Sequence, residues 1–149
     1  MSQIQTSIHR LLRPEYTPSM SDPVLKYRDM LQAVITRMGG NQFTCRTWSV
    51  ALGTAVIGYA VSKDGKPAMA ILALLPAICF WIQDAYYLGL ERAFRKKFAA
   101  AVAAGPKASL FDFVIAPKAA DYIKAFFRHA VLLVHLPVVL LALIVWRRR

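Results

Sequence analysis

Apolar residues along this chain are gathered into blocks, and two of the longest lie on either side of a short polar turn. Residues 47–62 and 68–81, the second continued by aromatic residues to 90, flank Lys63, Asp64, Gly65, Lys66 and Pro67. Lipid offers a backbone no hydrogen-bonding partner, so segments this apolar satisfy their own N–H and C=O groups as helices. At ~1.5 Å per residue each arm is about 30 Å long, matching the hydrocarbon thickness of a bilayer. The pattern predicts an all-α integral membrane protein built on a transmembrane helical hairpin over 47–90.

The flanking pattern is different. Residues 1–22 form a tail in which Ile4, Ile8, Leu11 and Leu12 make one amphipathic turn before Pro14 and Pro18. Asp22 and Pro23 carry a helix-start signal. Val24, Leu31, Val34, Ile35 and Met38 then recur at helical spacing, which predicts an amphipathic cytoplasmic helix within 23–46 that ends at Gly39 and Gly40. Beyond the hairpin, 91–128 reads as a cytoplasmic helical segment. Its first helix continues the second arm and stops at Gly105 and Pro106, 107–116 is a loop or interfacial stretch, and Pro117 opens another helix. Residues 129–149 hold a third apolar run and a basic tail. Pro76 in the second arm is expected to kink its helix.

Composition sharpens the membrane reading. Hydrophobic residues make up 57% of 149 and mean hydropathy is +0.41, too much apolar surface for so short a chain to bury. The net charge of +11 would ordinarily raise nucleic acid as a partner, but its placement argues against that. Six basic residues precede the hairpin and eight follow it, whereas Lys63 and Lys66 alone lie in the turn. This asymmetry puts the N-terminus and the 91–128 segment in the cytoplasm and the turn outside it, and draws the flanks to anionic lipid headgroups. The third run complicates the tally. If it crosses, Arg147, Arg148 and Arg149 lie outside. Crossing is favoured, because 17 uncharged residues gain most from full burial; a helix lying in the plane and bent at Pro137 is the alternative.

Candidate chemistry is sparse. Asp84 is the carboxylate at membrane depth, where an ionised group is costly and marks a role. Counting equal lengths back from the turn along both arms sets Arg46 opposite it, so a structural ion pair is favoured over a proton relay. His135 reads as a histidine hydrogen-bonded between helices rather than a titrating gate. Thr47, Ala51, Thr54, Ala55 and Gly58 form a small-residue face suited to close helix packing. Trp48, Trp81, Tyr86, Tyr87 and Trp146 are placed as interfacial anchors. Cys45 and Cys79 are too far apart in depth to pair and read as packing residues. No metal-ligand, phosphate-loop or nucleophile motif is present, so no catalytic residue, cofactor or metal is assigned and an enzyme is not expected.

Residues 28–98 resemble a group of small, multi-pass bacterial membrane proteins with a pattern of the form RMxxNSF…W…FWxLDAYYLRxERxFR. The shared positions are Ile35, Arg37, Met38, Asn41, Phe43, Trp48, Phe80, Trp81, Asp84, Ala85, Tyr86, Tyr87, Leu88, Glu91, Arg92, Phe94 and Arg95. Gln42 replaces Ser, Gln83 replaces Leu, Gly89 replaces Arg, and residues 105–149 fall outside the pattern. Such proteins are similar to transmembrane effectors of antiphage systems. The resemblance implies an oligomerising effector or pore-type subunit. The alternative is a non-enzymatic anchor or assembly subunit that docks a cytoplasmic protein. Reporter fusions at Gly40 and Gly105 should score cytoplasmic and one at Gly65 should not; a periplasmic signal at Gly105 would overturn the topology, and a fusion after Arg149 reads whether the third run crosses.

Overall fold

A carboxylate starts the first helix. Asp22 accepts a hydrogen bond from the Val24 N–H at 2.8 Å, and Pro23 occupies the position where an N–H has no helical partner. From there α1, Pro23–Ala60, runs unbroken for 38 residues in the computed structural model, about 57 Å at helical rise. The structure describes residues 22–107 and 109–148; the tail expected over 1–22, apart from Asp22, lies outside the described residues, as do Arg149 and the side chain of Pro106.

The helix expected to end at Gly39 and Gly40 instead passes through both. Its buried stripe explains why. Val24, Tyr27, Leu31, Ile35, Met38, Gln42, Cys45, Ser49, Gly53, Ile57 and Ala60 follow one another three or four residues apart and face the rest of the chain. Gly39 and Gly40 lie between stripe positions with no neighbour within 4 Å of where a Cβ would stand. A glycine inside a helix costs only about 1 kcal/mol, less than abandoning a stripe that continues on its far side.

The turn closes tightly. The Ser62 hydroxyl donates to the Tyr59 carbonyl at 2.8 Å, and the Gly65 N–H donates to the Ser62 carbonyl at 3.1 Å. Any side chain at 65 would bring its Cβ within 1.9 Å of the Tyr59 carbonyl oxygen. The return strand of the hairpin begins as a 3₁₀ helix, Pro67–Ala73, and becomes α2, Leu74–Ala104. Pro76 therefore sits in the first turn of α2 and does not kink its interior. Its ring clashes with a preceding α-helical turn, and the tighter 3₁₀ turn takes that place. Gly105 ends α2 with φ 57°.

A second difference lies after the loop. The helix expected to start at Pro117 and run into the third apolar block is two helices, α3 (Ala119–Phe126) and α4 (His129–Arg147). The Trp81 indole N–H donates to the Phe126 carbonyl at 3.0 Å, taking the acceptor that a continued helix would offer to residue 130, and Arg128 is extended. Helix α4 then runs alongside the hairpin in the direction of α1. Val138, Ala142 and Val145 pack with Ile57, Ala60, Ala70, Ala73 and Ala77, where small residues let three helices approach.

Two helical stretches, Pro67–Ala104 and His129–Arg147, are long and apolar enough to cross a membrane. Helix α1 is less apolar, because Arg46, Thr47, Ser49, Gly53, Thr54 and Gly58 interrupt its run. Far from the turn, α1 and α2 pack around Tyr27, Leu31 and Ala101 with Phe94, Phe98 and Phe113. The 109–118 stretch folds onto this end: the Tyr27 hydroxyl donates to the Asp112 carbonyl at 2.5 Å, and Tyr27 meets the Phe113 ring edge-on at 5.4 Å.

Lys97 pins the same stretch, pairing with Asp112 at 2.8 Å and donating to the Val114 carbonyl. The hydrogen bond from Lys97, and after it that from the Val114 N–H, hold the Asp112 carboxyl below its ordinary value. The sign follows: a carboxyl lowered on folding favours the docked loop at pH above its unfolded value, and that contribution is lost as pH falls through the folded value. Hydrogen exchange should show residues 109–117 loosening on acidification ahead of the helices, and Lys97→Met should loosen them already at neutral pH and remove that acid step.

Candidate functional site: a buried polar network between three helices

Helix α2 presents Asp84 to both neighbours. It is fully buried, with 0% exposure, and three donors reach it. Arg46 of α1 grips it with two hydrogen bonds, Nε to Oδ2 at 2.8 Å and Nη2 to Oδ1 at 3.2 Å, the parallel arrangement that suits a planar guanidinium to a carboxylate. His135 of α4 places Nε2 3.3 Å from Oδ2 and Nδ1 2.9 Å from the Ser49 hydroxyl of α1. One neutral tautomer satisfies both contacts: Nε2–H donates to Asp84 and Nδ1 accepts from Ser49. The single carboxylate thus ties α1, α2 and α4 at one level.

The network continues away from the turn. Arg46 Nη2 also donates to Gln42 Oε1 at 3.3 Å, the Gln42 amide donates to Glu91, and Glu91 accepts from Arg95 Nε at 2.7 Å. Cys45 lies beside it with Sγ 3.7 Å from Gln83 Oε1. A chain of polar groups therefore runs from exposed Arg95 up the α1–α2 seam to Ser49. There it stops. The next positions of the stripe, Gly53 and Ile57, meet Val138 and the alanines of the apolar cluster, so the chain of hydrogen bonds has no outlet on the turn side.

Ser49, His135 and Asp84 are the residue types of a nucleophilic triad, but their setting is unlike one. All three are 0% exposed, and they line none of four well-formed cavities among the described residues, of about 190 to 650 Å³. A nucleophile needs its reacting partner within about 3.5 Å, and nothing from outside approaches this hydroxyl. The arrangement can fix helix register and depth. No three His, Cys, Asp or Glu side chains among the described residues come together to hold a metal ion.

The other residues singled out from sequence distribute differently. Thr47, Ala51, Thr54, Ala55 and Gly58 all face outward, away from the chain's own helices. The small residues that admit α4 are instead Ser49 and Gly53, and a Cβ at 53 would lie 2.4 Å from Val138 Cγ1. The packing face is rotated because α1 must serve α2 and α4 together. Of the aromatic residues placed as anchors, Trp48 is exposed, whereas Trp81 is half-buried, stacks on Phe126 at 4.6 Å and lies parallel to His135 at 6.0 Å. Trp81 is thus a strut between α2, α3 and α4. Tyr86 stacks on Tyr122 at 5.5 Å and meets Tyr87 edge-on; Trp146 packs against the apolar cluster near the turn. Cys79 is exposed rather than packed, while Cys45 is buried.

Gln42, Ser49, Glu91 and Gly53 complete this site, and the apolar periodicity does not reveal them because they interrupt it. The legible signal is the stripe itself: steps of three and four from Met38 land on Gln42, Cys45, Ser49 and Gly53. Geometry and fold together define, among the described residues, an all-α arrangement of four α-helices, with two helical stretches long and apolar enough to cross a membrane, joined by an interhelical polar network. Comparison of the chain with models of known families, with curated proteins and with solved structures finds no match in any of the three.

Loss of one member of a buried ion pair costs about 3–5 kcal/mol because the other charge is stranded. The two halves here are unequal: the Arg46 side chain is 27% exposed and can swing outward, whereas that of Asp84 is 0% exposed and cannot. Arg46→Ala should therefore lower thermal stability in detergent more than Asp84→Ala, and Arg46→Met combined with Asp84→Leu should recover much of the loss. A double variant as unstable as the sum of the single ones would refute the coupling.

Proposed function

We propose that this protein is a non-enzymatic membrane anchor or assembly subunit of the bacterial inner membrane, with its N-terminus and the 91–128 segment in the cytoplasm. One observation carries the reading: the ionisable groups at the level of the apolar helices, Arg46, Asp84 and His135, turn inward and bond to one another, and the outward faces are mostly apolar, with Gln83 and two threonines among the polar exceptions. Leu133 is 78% exposed and Leu75 72%, and no more than a third of either apolar run is buried within the chain. In water such faces would form a large exposed apolar patch; in lipid they are the surface that gains most. The outward threonines fit the same solvent, since Thr47 and Thr54 hydroxyls bond to the carbonyls of Phe43 at 3.0 Å and Val50 at 2.7 Å, leaving little polarity to solvate.

A pore asks for the opposite distribution, a polar stripe facing out of each subunit toward a shared axis. The second reading, an oligomerising effector or pore-type subunit of the kind found in antiphage systems, draws support from the exposed small-residue face at Thr47, Ala51, Thr54, Ala55 and Gly58, along which a second copy could approach closely. The cytoplasmic ends of α1 and α2 are the part available to a partner protein under the anchor reading. Regulated expression in a bacterium with a membrane-potential dye separates the two. The anchor reading expects the potential to hold at full expression; depolarisation that Gly58→Leu abolishes would favour the effector.

A further inference from the structure

Just beyond the polar network, a cavity of about 650 Å³ opens between the cytoplasmic part of α2, residues 114–117 and α3. Five basic residues and one acidic residue line it. Two of the five are engaged, Arg95 with Glu91 and Lys97 with Asp112. Arg92, Lys96 and Lys124 have no ion-pair partner among the described residues, and the one carboxylate, Asp121, accepts from the Lys118 N–H at 3.0 Å. The opposite wall, Val114 to Pro117, is apolar. Three uncompensated cations converge on a concave, half-apolar space.

Its depth is set by the fold. His135 faces Asp84, so the start of α4 at His129, six residues earlier, is level with about Leu90 of α2. The α2 residues of the cavity run from Gly89 to Lys97, from the end of the apolar layer to ~10 Å beyond it, the depth of the headgroup region. A second cavity, about 420 Å³ and almost wholly apolar, lies on the membrane side of the first between Ile82, Tyr86, Tyr122 and Phe126. Gly89 stands between the two, and the absence of a side chain there seats Tyr122, whose Cδ1 would be 2.6 Å from a Cβ. Cations below and aromatic grease above form a site of amphipathic shape.

We propose that the basic cavity binds the phosphate-bearing headgroup of an anionic phospholipid, with an acyl chain against the apolar groove between α2 and α3. The inference rests on the membrane reading above. It goes beyond general attraction of basic flanks to lipid, because Arg92, Lys96 and Lys124 select the headgroup at one place on the chain.

The test is native mass spectrometry of the full chain released from nanodiscs of equal phosphatidylglycerol and phosphatidylcholine content. Bound phosphatidylglycerol should exceed phosphatidylcholine at least about tenfold, a preference that Arg92→Gln, Lys96→Gln and Lys124→Gln together should remove, since three surface cations at roughly fivefold each would support up to about a hundredfold. The same preference should survive Lys63→Gln with Lys66→Gln in the turn. Equal retention of the two lipids, an unaffected triple variant, or equal loss in the turn variant would overturn the site. Displacement of the lipid by inorganic phosphate at matched concentration would overturn it in favour of a soluble anion. Alkaline carbonate extraction separates the two levels of argument: a chain that leaves the membrane defeats the membrane reading itself, and one that stays without lipid preference defeats this inference alone.

Discussion

An ionised carboxylate cannot be left alone at the level of apolar helices, and the architecture here answers that constraint. Desolvating a charge costs several kcal/mol even after relaxation, so each oxygen of Asp84 has to be met by a donor. Two donors come from one guanidinium on α1 and one from an imidazole on α4. That requirement sets the register of the hairpin, the depth of α4 and the inward rotation of Ser49 in a single step. Above this level the helices are held by alanine, glycine and valine contacts, which are non-directional and would tolerate sliding. Specific alignment comes from the polar layer and close approach from the small residues.

Much of this was legible in the chain, and what was not has a common cause. The helices, the turn, the cap at Asp22, the stop at Gly105 and the facing of Arg46 and Asp84 all follow from block length, turn chemistry and equal counting along two arms. The continuity of α1 was hidden because Gly39 and Gly40 carry a helix-stop signal, while the stripe that overrides it passes through Gln42 and Ser49, polar residues that an apolar count does not register. The packing face of α1 was misplaced for the same reason: small residues occur on two sides of the helix, and only the position of α4 decides which is used. The break between α3 and α4 depends on a tryptophan 45 residues away in sequence, a contact with no local trace.

Gly89 links these observations. It is the point where α3 seats its tyrosine on α2, since a Cβ there would lie 2.6 Å from Tyr122 Cδ1. Helices α3 and α4 reach the hairpin through that gap and through Trp81 and Asp84. A side chain at 89 would occupy the space of Tyr122. The hairpin, α3 and α4 are therefore interlocked as one unit.

Both long helices pass without a break from the apolar region into the packing around Tyr27 and Ala101 far from the turn. Two rods bonded along their length resist bending far better than rods joined by loops, and here Arg28 also ties α1 to the last carbonyls of α2 at 3.2 and 3.4 Å. A load applied to the tip far from the turn would not be absorbed at a hinge. It would be carried as tilt or twist to the level of Asp84, some two dozen residues away along α1 at about 1.5 Å each, so that the protein behaves mechanically as a lever whose fulcrum is the carboxylate.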